Sequence, residues 1–470
     1  MFSTFPLHKV PLTAAIMAAL GIQSMPAFAA PGDPLGGEFL VNTSTIANQE
    51  HPAAAMNTDG SFIVVWESLD ADTGNYGIYT QRYNASGERL GGETRINTTQ
   101  LNDQSIPKIA MNAAGNYVVV WENSDQNGDW NIYARRFKAD GAPVGNDLQI
   151  NSTVISALVS GTVPGVGIDA AGDFIIGWEN YDNVNNNEDI YARRFDSAGT
   201  ALGNEFLVNT STTNDQTLPA VAMNANGDFV VAWQSAVQDS DGSMGIYAQH
   251  YDANGAALGS EFQVNSTATG DQTSPAAAMN TAGDFAVTWE SAGQDGDGKG
   301  IYAQRYDATG TALGEFRVNT ATASDQTAPV IVMNASGEFI VVWESLNQDG
   351  DGKGIYAQRY DANGAALGGE YKANTTTANT QMLPAVALNA NIDSVVAWQS
   401  AGQDDPRFPH QFGIYAQRYV GNVAASSSGA DAGGGGGGGG AFGWFSALLI
   451  LPALLRRRAT RIYKNSVPMA

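Results

Sequence analysis

The sequence predicts an all-β protein, a seven-bladed β-propeller of four-stranded antiparallel blades. Three observations predict it: a recurring tryptophan, four short strand-like runs in each repeat, and a fourth run that is absent after the last repeat but present before the first. A fixed period of about 55 residues is typical of repeat architectures such as propellers. The tryptophan recurs every 54–57 residues, at Trp66, Trp121, Trp178, Trp233, Trp289, Trp343 and Trp398.

The four runs of each repeat are rich in β-branched and aromatic residues, and turns containing Asn, Asp and Gly separate them. This pattern is typical of antiparallel strands joined by hairpins. The run that ends at the tryptophan is apolar throughout, as in residues 339–343. We therefore expect both of its faces to be buried between neighbouring blades. No stretch of the repeats combines helical periodicity with caps.

The two ends of the array predict that the ring is closed. A fourth run at 36–42 precedes the first complete repeat, whereas the last repeat stops at Tyr419 without a fourth run of its own. We expect residues 36–42 to complete the blade of residues 384–419, because closure removes exposed sheet edges. The alternative is an open array of β-sheet modules, with unpaired edges at both ends.

The two termini predict export. Residues 1–29 have a basic start, a short apolar middle and an Ala-Phe-Ala end, which is typical of a secretory signal peptide. The repeats fill 30–421, and a Ser/Gly-rich linker fills 422–440. A short hydrophobic helix with an arginine cluster is predicted at 441–458, and the arginines and a basic tail at 459–470 should stay cytoplasmic.

The glycine run at 433–440, the short apolar segment and the arginine cluster together resemble the GlyGly-CTERM sorting signal of Gram-negative bacteria. The resemblance implies export machinery and a rhombosortase-type protease as partners. The C-terminal helix would lie first in the inner membrane, and the protein would then reach the cell surface or be released. The alternative is a plain membrane anchor. The repeats, with Val-Asn-Thr, Asp-Gln-x-x-Pro and Ile-Tyr-Ala-Gln-Arg-Tyr in fixed order, resemble those of bacterial surface proteins, which implies an extracellular propeller without a defined activity.

Composition excludes several function classes. The 470 residues include 23 Lys+Arg and 47 Asp+Glu, for a net charge of −24, which excludes a nucleic-acid protein that works by neutralising phosphates. The chain has no cysteine, so disulfides, thiolate metal sites and cysteine nucleophiles are excluded as well.

Residues that recur in every blade are predicted to be structural. The tryptophan is expected in the core rather than stacked on a sugar, and glutamines three residues before a proline are expected to bond loop backbone. A recurring arginine is expected to bond a neighbouring carboxylate or carbonyl rather than form an anion-binding ring, and His250 replaces it in the fourth blade. The arginines are Arg82, Arg136, Arg194, Arg305, Arg359 and Arg418, and the glutamines are Gln104, Gln216, Gln272, Gln326 and Gln381.

Asp-x-Asp loops between the second and third strands predict calcium binding, because two carboxylates on a tight glycine turn are hard oxygen ligands. The candidate ligands are Asp70, Asp72, Asp239, Asp241, Asp295, Asp297, Asp349 and Asp351. The alternative is that these residues only form turns and keep the protein soluble.

The predicted function is an exported, surface-displayed binding or adhesion module for a protein or glycan ligand. The alternatives are a secreted glycan- or protein-degrading hydrolase and a carbohydrate-binding lectin. No enzyme motif is complete, so no catalytic or cofactor-binding residue is assigned and a non-enzyme is favoured. A unique site should lie where the repeat breaks. The lectin alternative lacks equivalent aromatics, since Tyr76, Trp130, Tyr181 and Phe408 are expected at non-equivalent positions. The breaks are 154–164, 181–189, Trp130 and 404–412, which includes Arg407 and His410.

Overall fold

The structure is a computed structural model of the chain. It describes residues 30–45, 47–70, 74–124, 130–152, 163–182, 187–404, 407 and 411–422, together with the backbone of 446–448. The predicted signal peptide, and almost all of the predicted linker and C-terminal segment, lie outside these residues.

The described residues form 29 strands. In chain order they are β1 (Phe39–Leu40), β2 (Gln49–Met56), β3 (Phe62–Leu69), β4 (Tyr76–Tyr83), β5 (Thr94–Arg95), β6 (Gln104–Asn112), β7 (Tyr117–Ser124), β8 (Trp130–Phe137), β9 (Pro143–Gln149), β10 (Gly165–Ile168), β11 (Phe174–Asp182), β12 (Asn187–Phe195), β13 (Phe206–Leu207), β14 (Gln216–Met223), β15 (Phe229–Ser235), β16 (Gly245–Tyr251), β17 (Phe262–Gln263), β18 (Gln272–Met279), β19 (Phe285–Ala292), β20 (Lys299–Tyr306), β21 (Ala312–Arg317), β22 (Gln326–Met333), β23 (Phe339–Leu346), β24 (Lys353–Tyr360), β25 (Tyr371–Lys372), β26 (Gln381–Leu388), β27 (Ser394–Ala401), β28 (Phe412–Tyr419) and β29 (Ser446–Leu448).

The strands form seven antiparallel sheets arranged in a ring, which confirms the all-β class and the seven-bladed propeller. Blades 1 to 6 each consist of four consecutive strands, starting with β2, β6, β10, β14, β18 and β22. The first strand of every blade contacts the first strands of both neighbouring blades, so these strands surround the axis. The contact between β26 and β2 closes the ring.

Blade 7 is completed by the N-terminal strand, as predicted. Strand β1 pairs with β28, with Phe39 opposite Ala416 and Leu40 opposite Tyr415. Glu38, just before β1, also accepts hydrogen bonds from the backbone N–H and hydroxyl of Thr375 in blade 6, at 2.6 and 2.7 Å. The closure therefore joins residues more than 300 positions apart, and the open-array alternative is wrong.

Strand β29 adds a fifth strand to the sheet of blade 2, where Leu448 lies opposite Ala110 of β6. Its backbone also lies close to the first strands of the other blades, and hence near the ring axis. These three residues belong to the segment predicted as a helix, and the rest of that segment is outside the described residues. No helix long and apolar enough to cross a membrane occurs in the described part of the chain.

The core lies between the blades. The second strands β3, β15, β19, β23 and β27 are almost completely buried, as their apolar runs predict. Each tight turn after a first strand needs a residue with positive φ, and Gly227 supplies it in blade 4 with φ of 95°. There a Cβ would lie 3.2 Å from that of Ala253, so glycine also satisfies a close approach.

A bulge in the first strand recurs around the ring and positions the face described below. In six blades the register shifts after the second residue of this strand. The residue that follows has positive φ, which leaves its N–H without a partner in its own ladder. These residues are His51, Ile106, Leu218, Ser274, Ala328 and Leu383.

Candidate functional site

The repeated tryptophans are core residues, as predicted. All seven are at most 1% exposed. In blades 1, 4 and 5 the indole N–H donates to the side-chain oxygen of the blade's glutamine, at 2.9 to 3.1 Å. The same glutamines donate to loop carbonyls, as Gln272 does to Gly270 at 3.1 Å. Because each tryptophan is enclosed, a ring of sugar-stacking tryptophans is excluded.

The repeated arginines fasten neighbouring blades together. Arg418 donates to the carbonyl oxygen of Ser86 in blade 1 at 2.6 Å, and Arg136 donates to that of Ser197 in blade 3 at 2.7 Å. Arg82, Arg194 and Arg305 donate in the same way to the turn between the last two strands of the next blade. The expectation that these arginines bond carbonyls is confirmed. His250 in blade 4 instead packs against Phe285, and burial lowers its pKa.

We call the residue after each tryptophan the acceptor residue, because in blades 1 and 3 to 7 its side chain accepts the N–H of the bulge residue in the next blade. The side-chain oxygen of Glu67 accepts the N–H of Ile106 at 2.7 Å, and that of Glu344 accepts the N–H of Leu383 at 2.7 Å. Because an amide oxygen accepts equally well, blades 4 and 7 have glutamine here. The acceptor residues are Glu67, Glu122, Glu179, Gln234, Glu290, Glu344 and Gln399.

In blades 5 and 6 the acceptor glutamate is neutralised by a lysine. Lys299 and Lys353, at the start of the third strand, place Nζ at 2.7 and 2.5 Å from carboxylate oxygens of Glu290 and Glu344. A threonine of the first strand also donates to each carboxylate, at 3.2 Å in blade 5 and 3.1 Å in blade 6. These buried charges are therefore paired and hydrogen-bonded, which is the condition for keeping an ion pair in the interior.

In blades 1 to 3 the acceptor glutamates belong to a cluster of acidic and basic side chains, which we call the acidic sector. It consists of Glu50, His51, Glu67, Lys108, Glu122, Glu179 and Glu188. Nδ1 of His51 lies 2.9 Å from Oε1 of Glu67, and Glu50 lies opposite Glu67 in the sheet. Lys108 of blade 2 interacts electrostatically with Glu122 and Glu67, and Glu179 of blade 3 does so with Glu188 and Glu122. The sector therefore joins three blades.

The groups of the acidic sector have shifted pKa values. Burial lowers the pKa of Lys108 to about 7, although the charges of Glu122 and Glu67 oppose the shift. Burial also acts to lower the pKa of His51, but the charge and hydrogen bond of Glu67, with the charge of Glu50, raise it above its ordinary value. Burial and then the charge of Glu188 raise the pKa of Glu179 well above its ordinary value. Shifted groups of unlike type in one place are typical of functional sites.

Three aromatic side chains border this sector and form the aromatic arc: Tyr76, Trp130 and Tyr181. Tyr76 and Trp130 occupy equivalent positions, each opposite the third residue after the blade's tryptophan. Tyr181 is itself that third residue in blade 3. Alternate residues of a strand share a face, so each aromatic lies on the same face as its blade's acceptor glutamate. The expectation that Tyr76 and Trp130 are not equivalent is therefore wrong, because loops of unequal length hid the shared register. Phe408 lies outside the described residues.

All three side chains of the arc are half-buried, and Tyr76 contacts the sector directly. The hydroxyl of Tyr76 donates to Oε2 of Glu50 at 3.0 Å, and burial together with that carboxylate raises its pKa to about 12. Trp130 and Tyr181 pack their inner sides on the core. Each ring thus has an anchored side and an open side.

The predicted calcium ligands differ in burial and in hydrogen-bond partners. Asp239 is buried and accepts hydrogen bonds from Tyr247, Gln263 and Asn265 at 3.1, 2.8 and 2.7 Å. Asp241 is exposed and accepts one from Ser243 N–H at 2.9 Å and one from Gly270 N–H at 3.2 Å, in the loop that leads to the next blade. Asp297 and Asp351 likewise accept the N–H groups of Ser324 and Asn379, both at 3.1 Å.

The inner aspartates of blades 5 and 6 differ from that of blade 4. Both carboxylate oxygens of Asp349, and Oδ1 of Asp295, are buried and lack a hydrogen-bond donor among the described residues. Asp70 lies 3.8 Å from Arg95, and Asp72 is outside the described residues. In the described ranges no group of three or more acidic or histidine side chains is arranged to hold a metal ion. Calcium binding by these loops stays a prediction.

His51 and Lys108 were not among the residues predicted from the sequence, whereas two of the predicted repeat breaks, Trp130 and 181–189, contribute Trp130, Tyr181 and Glu188 to this face. Of the repeat breaks, residues 153–162, 183–186 and 408–410 are outside the described residues, which includes His410. Arg407 is exposed. Alignment of the repeats on the tryptophan would have shown the signal, because Lys108 stands where the other blades have only small residues or valine: Ala53, Gly165, Ala220, Ala276, Val330 and Ala385.

The fold and the repeated contacts place the chain among the β-propellers. No family model matches it, and no curated protein is similar in sequence. A protein of unknown function from Dyadobacter fermentans DSM 18053 is similar in structure, with 10% identity, a TM-score of 0.50, and coverage of 83% of this chain and 100% of that one.

Two further solved structures are similar at lower scores. An α-L-arabinanase of Penicillium chrysogenum, complexed with arabinobiose, has 12% identity and a TM-score of 0.48, covering 71% of this chain and 98% of that one. A fungal alcohol oxidase of the AA5 family, in complex with copper, has 14% identity and a TM-score of 0.48, covering 83% and 76%. At such identities the likeness is one of fold, and fold does not define function.

Proposed function

We propose that the protein binds a glycan on the face formed by the acidic sector and the aromatic arc. One observation carries the proposal: aromatic rings stand beside the acceptor glutamates of three successive blades, whereas blades 5 and 6 have lysines that neutralise those glutamates. An open ring face offers apolar area to the C–H groups of a sugar, and carboxylates accept hydrogen bonds from its hydroxyls. A site with aromatic walls and a few convergent polar groups is typical of small-ligand binding.

The first experiment is a glycan array with the full-length protein, followed by calorimetry on the glycans that bind. We expect Trp130→Ala to weaken binding about tenfold, which corresponds to about 1.4 kcal/mol. Phe412→Ala is the matched control, because Phe412 holds the equivalent position in blade 7, where the acceptor residue is Gln399. Phe412→Ala should leave affinity within about twofold of wild type. Absence of any glycan ligand, or equal effects of the two variants, would contradict the proposal.

A second candidate function is glycoside hydrolysis at the same face. It is favoured by Glu179, because burial raises its pKa well above its ordinary value and it interacts electrostatically with Glu122, and glycoside hydrolases pair a carboxylic acid with a carboxylate. Release of reducing ends from a bound glycan, lost in Glu179→Gln, would establish this activity. Binding that survives in Glu179→Gln without turnover in wild type would leave the protein as a lectin.

The proposed location follows from the termini. We propose that the protein is exported and displayed at the cell surface, where a glycan is accessible, as the predicted signal peptide and C-terminal segment imply. Surface labelling of intact cells and mass spectrometry of the mature N-terminus test this. A chain that keeps residues 1–29 inside the cell would overturn it. Adhesion to a protein partner stays a prediction, since the face described here fits sugars.

A further inference from the structure

Lys108 differs in chemistry from the residues at the equivalent position of the other six blades, which are small or apolar. It is 1% exposed, and no hydrogen-bond acceptor lies within reach of its Nζ in the described part of the chain. A buried amine without an acceptor loses its hydration and gains no hydrogen bond in return, which destabilises the fold. The six equivalent residues avoid this cost because they are small or apolar.

The surroundings of Lys108 suit proton transfer more than charge pairing. The groups that act on it electrostatically are Glu122 of its own blade and Glu67 of blade 1, neither of which is hydrogen-bonded to it. His51 contacts Glu67 and is 26% exposed, so the cluster reaches solvent through the imidazole. Lys353 shows the contrast, because its Nζ lies 2.5 Å from a carboxylate oxygen of Glu344.

We propose that Lys108 is a reactive amine that condenses with the aldehyde group of an open-chain reducing sugar. This inference rests on the proposed function and names its ligand class: glycans with a free reducing end. The neutral Nζ attacks the carbonyl carbon, and the carbonyl oxygen takes up a proton from the His51–Glu67 pair. The attacking nitrogen returns one proton to the pair. The carbinolamine hydroxyl then leaves as water with a second proton from the pair, and the iminium nitrogen gives its remaining proton back to the pair, so that a neutral imine remains. One water is released and no oxidant or reductant is needed.

The low pKa of Lys108 supports this role. A lysine becomes a nucleophile when its surroundings favour the neutral amine, and burial is one way to achieve this. With a pKa near 7, about half of Lys108 is neutral at neutral pH, compared with less than about one part in a thousand of an ordinary lysine.

The test is reductive trapping on the full-length protein. D-Glyceraldehyde and sodium cyanoborohydride convert an imine into a stable secondary amine, and peptide mass spectrometry measures labelling at each lysine. We expect Lys108 to be labelled at least about tenfold faster than the exposed Lys138 at pH 7.5, because far more of it is neutral. Its rate should level off above about pH 8, whereas the rate at Lys138 continues to rise. Lys353, which is ion-paired, is the internal control and should be labelled slowly.

Several outcomes decide the matter. Labelling of Lys108 that is no faster than that of Lys138 overturns the inference, even if glycans bind through Trp130, and the proposed function then stands alone. Fast labelling of Lys108 that a bound glycan suppresses supports both. Fast labelling without any glycan ligand supports the reactive amine and contradicts the proposed function. Lys108→Arg keeps the positive charge and should lose only the fast site, with circular dichroism verifying its fold.

Discussion

Blades 1–3 and blades 5–6 build the same face from equivalent positions with opposite chemistry. In blades 5 and 6, Lys299 and Lys353 neutralise the acceptor glutamates. In blades 1 and 2 the corresponding residues are Tyr76 and Trp130, and in blade 3 the residue is Glu188. In blades 1, 3, 5 and 6 the glutamate accepts the N–H of the bulge residue in the next blade. A lysine of the same blade neutralises it in blades 5 and 6, whereas in blade 1, beside the aromatic arc, it pairs with the partly exposed His51.

The largest expected effect is on the free energy of unfolding when the lysine of each region is replaced. Lys353→Met leaves the buried carboxylate of Glu344 without its cation, and we expect a loss of about 2 to 3 kcal/mol, below the full cost of a wholly buried pair since Lys353 is partly exposed. Lys108→Met removes an amine that has no acceptor, so stability should be unchanged or higher. Urea denaturation measures both.

The double variant Glu344→Gln/Lys353→Met is the control for this pair. It should recover most of the lost stability, because glutamine still accepts the N–H of Leu383 and no unpaired charge remains. Equal losses in Lys353→Met and Lys108→Met would show that the two regions do not differ as described.

The buried Lys108 should also make the stability of the protein depend on pH. The pKa of Lys108 is about 7 in the folded protein and near 10.5 when unfolded, so the unfolded chain holds more protons between these values. Stability should therefore rise with pH in this range, by about 2 kcal/mol between pH 7 and pH 9 relative to Lys108→Met. Parallel denaturation curves at both pH values measure the difference. An unchanged difference would mean that Lys108 stays charged.

The propeller was predictable from the sequence because its evidence is periodic. Trp66 to Trp398 mark every blade, and the displaced run at residues 36–42 identifies the closure. The acidic sector was not predictable from patterns within one repeat, since Lys108 meets Glu67 of another blade and Tyr76 aligns with Trp130 only through strand register. The inter-blade contacts of the acceptor residues likewise depend on a bulge, which has no clear sequence signal.

His51 should show the opposite pH response to Lys108 within the same sector. Its pKa is raised in the folded protein, so its contribution to stability is complete below about pH 6.5 and is lost as the pH rises through the folded value. We expect wild type to lose stability relative to His51→Gln as the pH rises from 6 to 8. An NMR titration of the imidazole checks the pKa directly. A folded pKa below 6.5 would contradict the ion pair with Glu67.

The smallest expected effect is stabilisation by calcium, and we expect it in blade 6 but not in blade 4. Asp239 has three donors already, whereas Asp349 is 2% exposed, lacks a hydrogen-bond donor among the described residues, and has only Lys372 at 4.0 Å as a cation. Each loop offers two aspartates at most, so a Kd near 1 mM is expected, and 1 mM calcium would then contribute about 0.4 kcal/mol, or roughly 1 °C in Tm.

Thermal melts in calcium and in excess chelator measure this shift. Asp349→Asn should reduce it and Asp239→Asn should leave it unchanged, because a carboxylate without donors is the one that gains from an ion. Coincident melts of wild type in the two conditions would assign every Asp-x-Asp loop to turn formation. A shift that vanishes in Asp239→Asn instead would place the ion in blade 4, where the hydrogen bonds of Asp239 would have to break to admit it.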